Sequence, residues 1–250
     1  MRLTRLLLTA VAAGLLGLPA VMDASQPAAS APGVNASASE RAGEACRLSF
    51  DDVKPGELPR GWKVDATNPK GEPAEWQVVA DDHAPGKPNV LSITKIPDSS
   101  SGHFNLCWTQ AVQLKDGTLE VKIRANTGKK DQGGGLIWRA ADAMNYYVAR
   151  YNPLETNFRL YYVKNGKRVQ LAGADDLPIK TGEWFTMKIV VHGEKMEGWL
   201  DGKKLLEVTD KTFTGAGGVG FWSKADAASS FDDFVAEPAQ AGATAKPASE

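Results

Sequence analysis

Thr118-Leu119-Glu120-Val121-Lys122-Ile123-Arg124 decides the fold class. Leu119, Val121 and Ile123 point one way, and Glu120, Lys122 and Arg124 the other. A two-residue period marks an antiparallel strand with one face in a core and one in water. Upstream, the same reading predicts strands at Arg47–Asp52, Trp76–Val79, Val90–Lys95 and Gln110–Leu114. Downstream it predicts Leu136–Arg139, Asn145–Tyr151, Phe158–Lys164, Arg168–Ala172 and Trp184–His192. Lys195–Leu200, Lys203–Val208, Val219–Trp222 and Phe231–Ala236 complete the set.

The turns agree. Asn165-Gly166 and Asp201-Gly202 supply the positive φ of two-residue hairpins, and Gly193-Glu194 marks another turn. No stretch carries a long amphipathic helix and no repeat is visible, which disfavours a propeller. About a dozen short strands imply an all-β, two-sheet antiparallel sandwich of the jelly-roll kind, or a barrel.

The ends do not belong to it. Arg2 and Arg5 precede an apolar run from Leu6 to Met22, which reads as a signal peptide, with cleavage as late as residue 38. A retained anchor is the alternative, although a span needs about 20 apolar residues. Glu44 argues against a lipid attachment at Cys46. Residues 23–45 form an Ala/Ser/Pro leader, residues 46–237 the domain, and residues 238–250 a tail. The expected location is secreted or periplasmic, with no stable membrane insertion after signal removal. In such a compartment Cys46 and Cys107 are expected to form a disulfide, worth ~4 kcal/mol; two buried thiols are the alternative.

The 250 residues carry 29 Lys+Arg against 30 Asp+Glu, so no basic excess marks a nucleic-acid binder. Three His and two Cys argue against a His/Cys metal site. Seven Trp serve cores and flat polar ligands alike.

The densest chemistry lies in GGGLIWRAADAMNYYVARYNPLETNFRLYY, Gly133–Tyr162. No helix follows the triple glycine, so it is no phosphate cradle; it allows tight turning or close strand approach. Alternation puts Ile137 with Arg139, Tyr146 with Arg150, and Arg159 with Tyr161. On neighbouring strands these residues line one sheet face, where guanidinium forks and rings suit an oxygen-rich ligand. The alternative is a solvated face with Arg stems lying over Tyr rings. Asn152, Glu155 and Asn157 sit in the joining loop, and Glu155 is the candidate acid/base, or else a plain loop acid. Trp222 could stack on a ligand, with Lys224 and Asp226 bonding it; equally, Trp222 is core and the two charges mark a hairpin. Asp51-Asp52 and Asp232-Asp233 lie near opposite ends of the domain, so Asp51 and Asp233 are candidate Ca²⁺ ligands, or else solvated. No other cofactor is expected.

W-R-x-x-D-x-x-N-Y-Y, at Trp138, Arg139, Asp142, Asn145, Tyr146 and Tyr147, and F-D-D-F at Phe231–Phe234 carry a resemblance. Over about residues 47–236 the chain resembles the 3-keto-disaccharide hydrolase domain family, secreted bacterial jelly rolls of the concanavalin A-like kind. The resemblance implies a sandwich with a concave sheet, and for some members hydrolysis of 3-keto-glycosides. Laminarinase-type relatives of that fold use Glu-x-Asp-x-x-Glu, a spacing this chain lacks. Alternation also offers no carboxylate pair suited to a two-acid glycosidase. The reading favoured is therefore an exported domain binding a carbohydrate on a concave Arg/Tyr face. A hydrolase or lyase of 3-keto-glycosides is the runner-up, and a structural envelope or matrix protein the third. Oligomeric state is not expressed in the sequence.

Overall fold

The computed structural model describes residues 45–97 and 100–239. The apolar run, nearly all the leader, and the tail from 240 lie outside the described residues. Fifteen strands run in chain order. They are β1 (Cys46–Leu48), β2 (Lys63–Thr67), β3 (Glu75–Ala80), β4 (Asn89–Lys95) and β5 (Phe104–Leu114). Next come β6 (Gly117–Thr127), β7 (Gly134–Asp142), β8 (Asn145–Asn152), β9 (Asn157–Lys164) and β10 (Lys167–Ala174). Last are β11 (Trp184–His192), β12 (Lys195–Leu200), β13 (Lys203–Thr209), β14 (Gly217–Lys224) and β15 (Ala228–Pro238). No helix occurs among the described residues.

The strands form two antiparallel sheets, so the expected jelly-roll sandwich is present. Sheet A runs β13-β12-β11-β6-β15-β4-β3, with β1 also on β15; sheet B runs β10-β9-β8-β7-β14-β5-β2. The alternation of β6 is realised in full. Leu119, Val121 and Ile123 are buried against sheet B, while Lys122 on the other face pairs with Asp233 at 2.8 Å. Burying each such aliphatic side chain contributes about 1.5–3 kcal/mol. Between the sheets, Phe221 of sheet B meets Phe231 of sheet A at 4.6 Å between ring centroids. Trp138 stacks on Tyr147 at 5.6 Å.

Three strand expectations need correction. Strand β5 starts at Phe104, six residues before the expected Gln110. Residues 51–53 turn rather than extend β1. Strand β2 was missed because Lys63-Val64-Asp65-Ala66-Thr67 carries little apolar signal; it is an edge strand pairing only with β5. The triple glycine serves close approach. A Cβ on Gly135 would lie 1.7 Å from the Ala149 carbonyl oxygen of the adjacent β8.

The expected disulfide is absent. Cys46 and Cys107 are free thiols, the first in sheet A and the second in sheet B. Cys107 is wholly buried in the apolar core, and that burial pushes its thiol pKa up.

The candidate Ca²⁺ ligands are engaged otherwise. Asp51 accepts from the Asn89 amide at 3.1 Å, and Asp232 from the Gly86 amide at 2.8 Å. Asp233 holds Lys122. Among the described residues no group of three or more His, Cys, Asp or Glu is placed to hold a metal ion.

Candidate functional site

Sheet B carries a second apolar layer on its outer face: Phe104, Leu106, Trp108, Ile137, Tyr146, Val148, Tyr161, Val163 and Trp222 among others. These are the residues left over when the alternate positions of β5, β7, β8, β9 and β14 fill the inter-sheet core. The face expected to be an open Arg/Tyr platform is thus largely packed. Tyr146 and Trp222 are fully buried, and the Trp222 indole N–H donates to the Tyr146 hydroxyl at 3.1 Å. Thr67 lies 2.7 Å from that same hydroxyl. Neither ring is free to stack on a ligand, and burial pushes the Tyr146 phenol pKa up.

Arg139 leaves this face altogether. It has φ 47° in the irregular stretch of β7 between Trp138 and Asp142, so its side chain departs from the alternation. Its guanidinium donates to the carbonyls of Lys115 (2.8 Å), Phe213 (2.8 Å) and Gly193 (2.6 Å), and Asp116 lies at 3.4 Å. It ties three turns together. The rest of the W-R-x-x-D-x-x-N-Y-Y motif is structural as well. Asp142 accepts from the Met144 amide and from Asn145, closing the β7–β8 turn. Tyr147 donates to Asp210 at 2.5 Å and accepts from the Phe213 amide at 3.1 Å. Burial and the Asp210 carboxylate push its phenol pKa up to about 12.

The remaining candidates converge at one end of the outer face. Arg150, on β8 with Tyr146 and Val148, is only 2% exposed, and its Nη2 donates to Glu155 at 2.7 Å. Its Nη1 lies 3.4 Å from the Tyr161 hydroxyl. Asn157 donates to the same Glu155 oxygen at 3.1 Å. Asn152 is buried, accepts from the amides of Leu154 and Glu155, and donates to Asp131 at 2.9 Å. Asp131 also receives Lys224 at 2.6 Å and lies 3.7 Å from Arg150. Asp226 accepts from the backbone amides of Lys129, Lys130 and Asp131, so it fastens that loop instead of facing a ligand. Arg159 is held in a two-bond pair by Asp175.

Two members of the cluster were not anticipated. Asp131 sits in a loop with no periodic signal. Arg168 was readable: the two-residue Asn165-Gly166 hairpin sets it opposite Val163, which shares a face with Tyr161. It lies over the Tyr161 ring at 4.3 Å and near Trp222 at 5.6 Å.

The electrostatics follow from this packing. Burial raises the Glu155 carboxyl pKa, but hydrogen bonds from Arg150 and Asn157, with the charges of Arg150 and Lys224, outweigh it and leave it lowered. Glu155 is therefore a carboxylate at neutral pH, 47% exposed on the rim beside the exposed Leu154. It can accept hydrogen bonds or take up a proton; it does not donate one. Asn157 Oδ1, Arg150 Nε and Trp108 Nε1 are buried with no protein partner.

No curated protein matches the chain. The carbohydrate-binding module CBM66 from Bacillus subtilis shares the fold at a TM-score of 0.55 and 19% identity, over 70% of this chain and 93% of that one. The cellulose-induced protein Cip1 matches at 0.53 and 16%, over 79% of this chain and 100% of that one. An apo transglycosylase, Crh5, matches at 0.51 and 12%, over 78% of this chain and 85% of that one. At these identities the likeness is one of fold. A family model, the 3-keto-alpha-glucoside-1,2-lyase-like domain, matches residues 48–232, well over half of the chain. The chain belongs to the family of 3-keto-alpha-glucoside-1,2-lyase-like domains.

Proposed function

We propose that the domain binds carbohydrate at the polar end of the outer face of sheet B. The observation that carries this reading is the linked set Asn152–Asp131–Lys224 and Arg150–Glu155–Asn157. It is buried at its base and opens to solvent at Glu155. Fixed donors and acceptors of both signs, prearranged on rigid strands, suit a ligand dense in hydroxyl groups. Leu154, 50% exposed beside Glu155, offers an apolar contact for the face of a sugar ring. The shared fold of the carbohydrate-binding module supports the reading. The experiment is titration calorimetry against an oligosaccharide panel with wild type and Glu155→Gln. Saturable heat that weakens in the variant supports it, and no heat with any glycan overturns it. Export to the periplasm or medium is part of the proposal and rests on the apolar run 6–22; fractionation of the expressing cell tests it.

A second reading is favoured by Glu155 specifically and by the family's name. An ionised carboxylate beside a guanidinium can take the proton from the carbon next to a 3-keto group, as that carbon acid requires. The electron pair then forms the C1–C2 double bond as the C1–oxygen bond breaks, and the aglycone leaves and takes a proton from water. Incubation with a 3-keto-disaccharide separates the readings. Aglycone release lost in Glu155→Gln supports elimination, and binding without release rejects it.

A further inference from the structure

Among the described residues, Arg47, Arg124, Arg139, Arg150 and Arg159 each pair with a carboxylate, and Arg60 stands in solvent. Arg168 is different. It is half-buried, it pairs with no carboxylate, and its Nη1 is buried without an acceptor. Its surroundings are rings: Tyr161 at 4.3 Å, Phe104 at 5.2 Å and Trp222 at 5.6 Å from the guanidinium carbon. A ring face attracts the flat side of a guanidinium but leaves its in-plane N–H donors unmet. Burial, and then the neighbouring Arg150 charge, lower its pKa, against the opposing pull of Tyr161 and Asp131.

Arg168 and Arg150 converge on one tyrosine. Arg168 lies over the Tyr161 ring, and Arg150 approaches its hydroxyl. Lys224 is near but is taken up by Asp131, and Glu155 by Arg150. Of Arg150, Lys224 and Arg168, only Arg168 is left without a carboxylate partner. A half-buried charge without a counter-ion is costly unless a partner arrives to meet it.

We propose that Arg168 is the anion-recognising position of the carbohydrate surface, and that the sugar it selects carries a carboxylate, as a uronic acid does. This rests on the carbohydrate reading above. The planar guanidinium can meet a carboxylate with the N–H edge that is not buried, and its ring-stacked plane is already fixed, so little order remains to be lost on binding. A charge-assisted hydrogen bond of this kind is worth roughly tenfold or more in affinity.

The test uses the full chain and trimers of galacturonate, glucuronate and mannuronate, each beside its carboxyl-reduced counterpart, measured by calorimetry at low and high salt. For the best-bound pair the acidic trimer is expected to bind at least about tenfold more tightly, an advantage that shrinks as salt rises. In Arg168→Gln that advantage is expected to vanish, and in Arg168→Lys, which keeps the charge but loses the fork, to be reduced. The pair comparison needs only wild type, so misfolding of a variant leaves it decisive. Equal affinity within every pair while neutral sugars bind overturns this inference and leaves carbohydrate binding standing. No binding of any sugar, acidic or neutral, overturns both.

Discussion

Arg150 and Glu155 are five positions apart, one on β8 and the other in the turn that follows, and they meet at 2.7 Å. The guanidinium is 2% exposed and the carboxylate 47%, so the pair connects the packed face of sheet B to solvent. Glu155→Gln leaves Arg150 with Asp131 at 3.7 Å. Stability should fall by only about 1 kcal/mol, because the exposed half of the pair is screened. Sugar affinity should fall at least about tenfold, read by urea unfolding and calorimetry on one preparation. The pH dependence has a definite sign. The Glu155 pKa is lowered on folding, so what its ionised form contributes is present above the ordinary carboxylate range and is lost as pH falls through the lowered value. Binding should therefore be flat in Glu155 ionisation above about pH 5; a transition near neutrality lost in Glu155→Gln would contradict the assignment.

Asp131 is 1% exposed and serves Lys224, Asn152 and Arg150 together. Asp131→Ala strands the nearly buried Lys224 ammonium and leaves the buried Arg150 guanidinium with Glu155 alone. A loss of about 3–5 kcal/mol is expected, the range for breaking buried pairs. Denaturant unfolding measures it, and a loss below about 1 kcal/mol would show that water replaces the carboxylate at no cost.

Arg139 gives the opposite separation. Its hydrogen bonds all go to turns of its own chain, three of them to carbonyls. Arg139→Ala should lower the melting temperature clearly, since three part-buried turn carbonyls lose their donor at once. The dissociation constant of the folded fraction should stay unchanged within about twofold, against the tenfold loss of a contact residue. A tenfold loss of affinity with an unaltered melting temperature would return Arg139 to the binding surface.

Asp232 titrates in reverse. Burial first, then the charges of Asp233 and Asp51, raise its carboxyl to about 6 despite amide donors from Gly86 and Asp233. For an acid raised on folding, the stabilising contribution is full below its unfolded pKa and is lost as pH climbs through the folded value. Wild type should lose stability between about pH 4 and pH 6 relative to Asp232→Asn. Thermal melts across that window check it; parallel curves would place the acid in a more open setting.

The fold was legible because strand β6 alternates cleanly and the Asn-Gly and Asp-Gly pairs fall between such runs. Strand β2 was not, since an edge strand half open to water needs no apolar period. The site was legible only in part. Arg150, Glu155, Asn152, Asn157, Tyr161 and Lys224 do converge. Alternation failed at Arg139, where one left-handed residue in a bulge redirects a side chain. Tyr146 reads as part of a ligand face and Trp222 equally as platform or core, because sequence does not reveal that the outer face of sheet B carries its own apolar layer, in which both are buried. Asp131 comes from a loop, where no periodicity exists to place it. The disulfide expectation rested on an even count and an oxidising location, and the sandwich sets its two cysteines on opposite sheets.

Carbohydrate binding at the polar end of sheet B's outer face can be read residue by residue by amide and side-chain NMR shift mapping. The best-binding oligosaccharide from the panel is the probe. Saturable shifts should centre on Arg150, Leu154, Glu155, Asn157 and Lys224, with the turns held by Arg139 unmoved. Saturable shifts confined to any other surface, or none at all, would contradict the account.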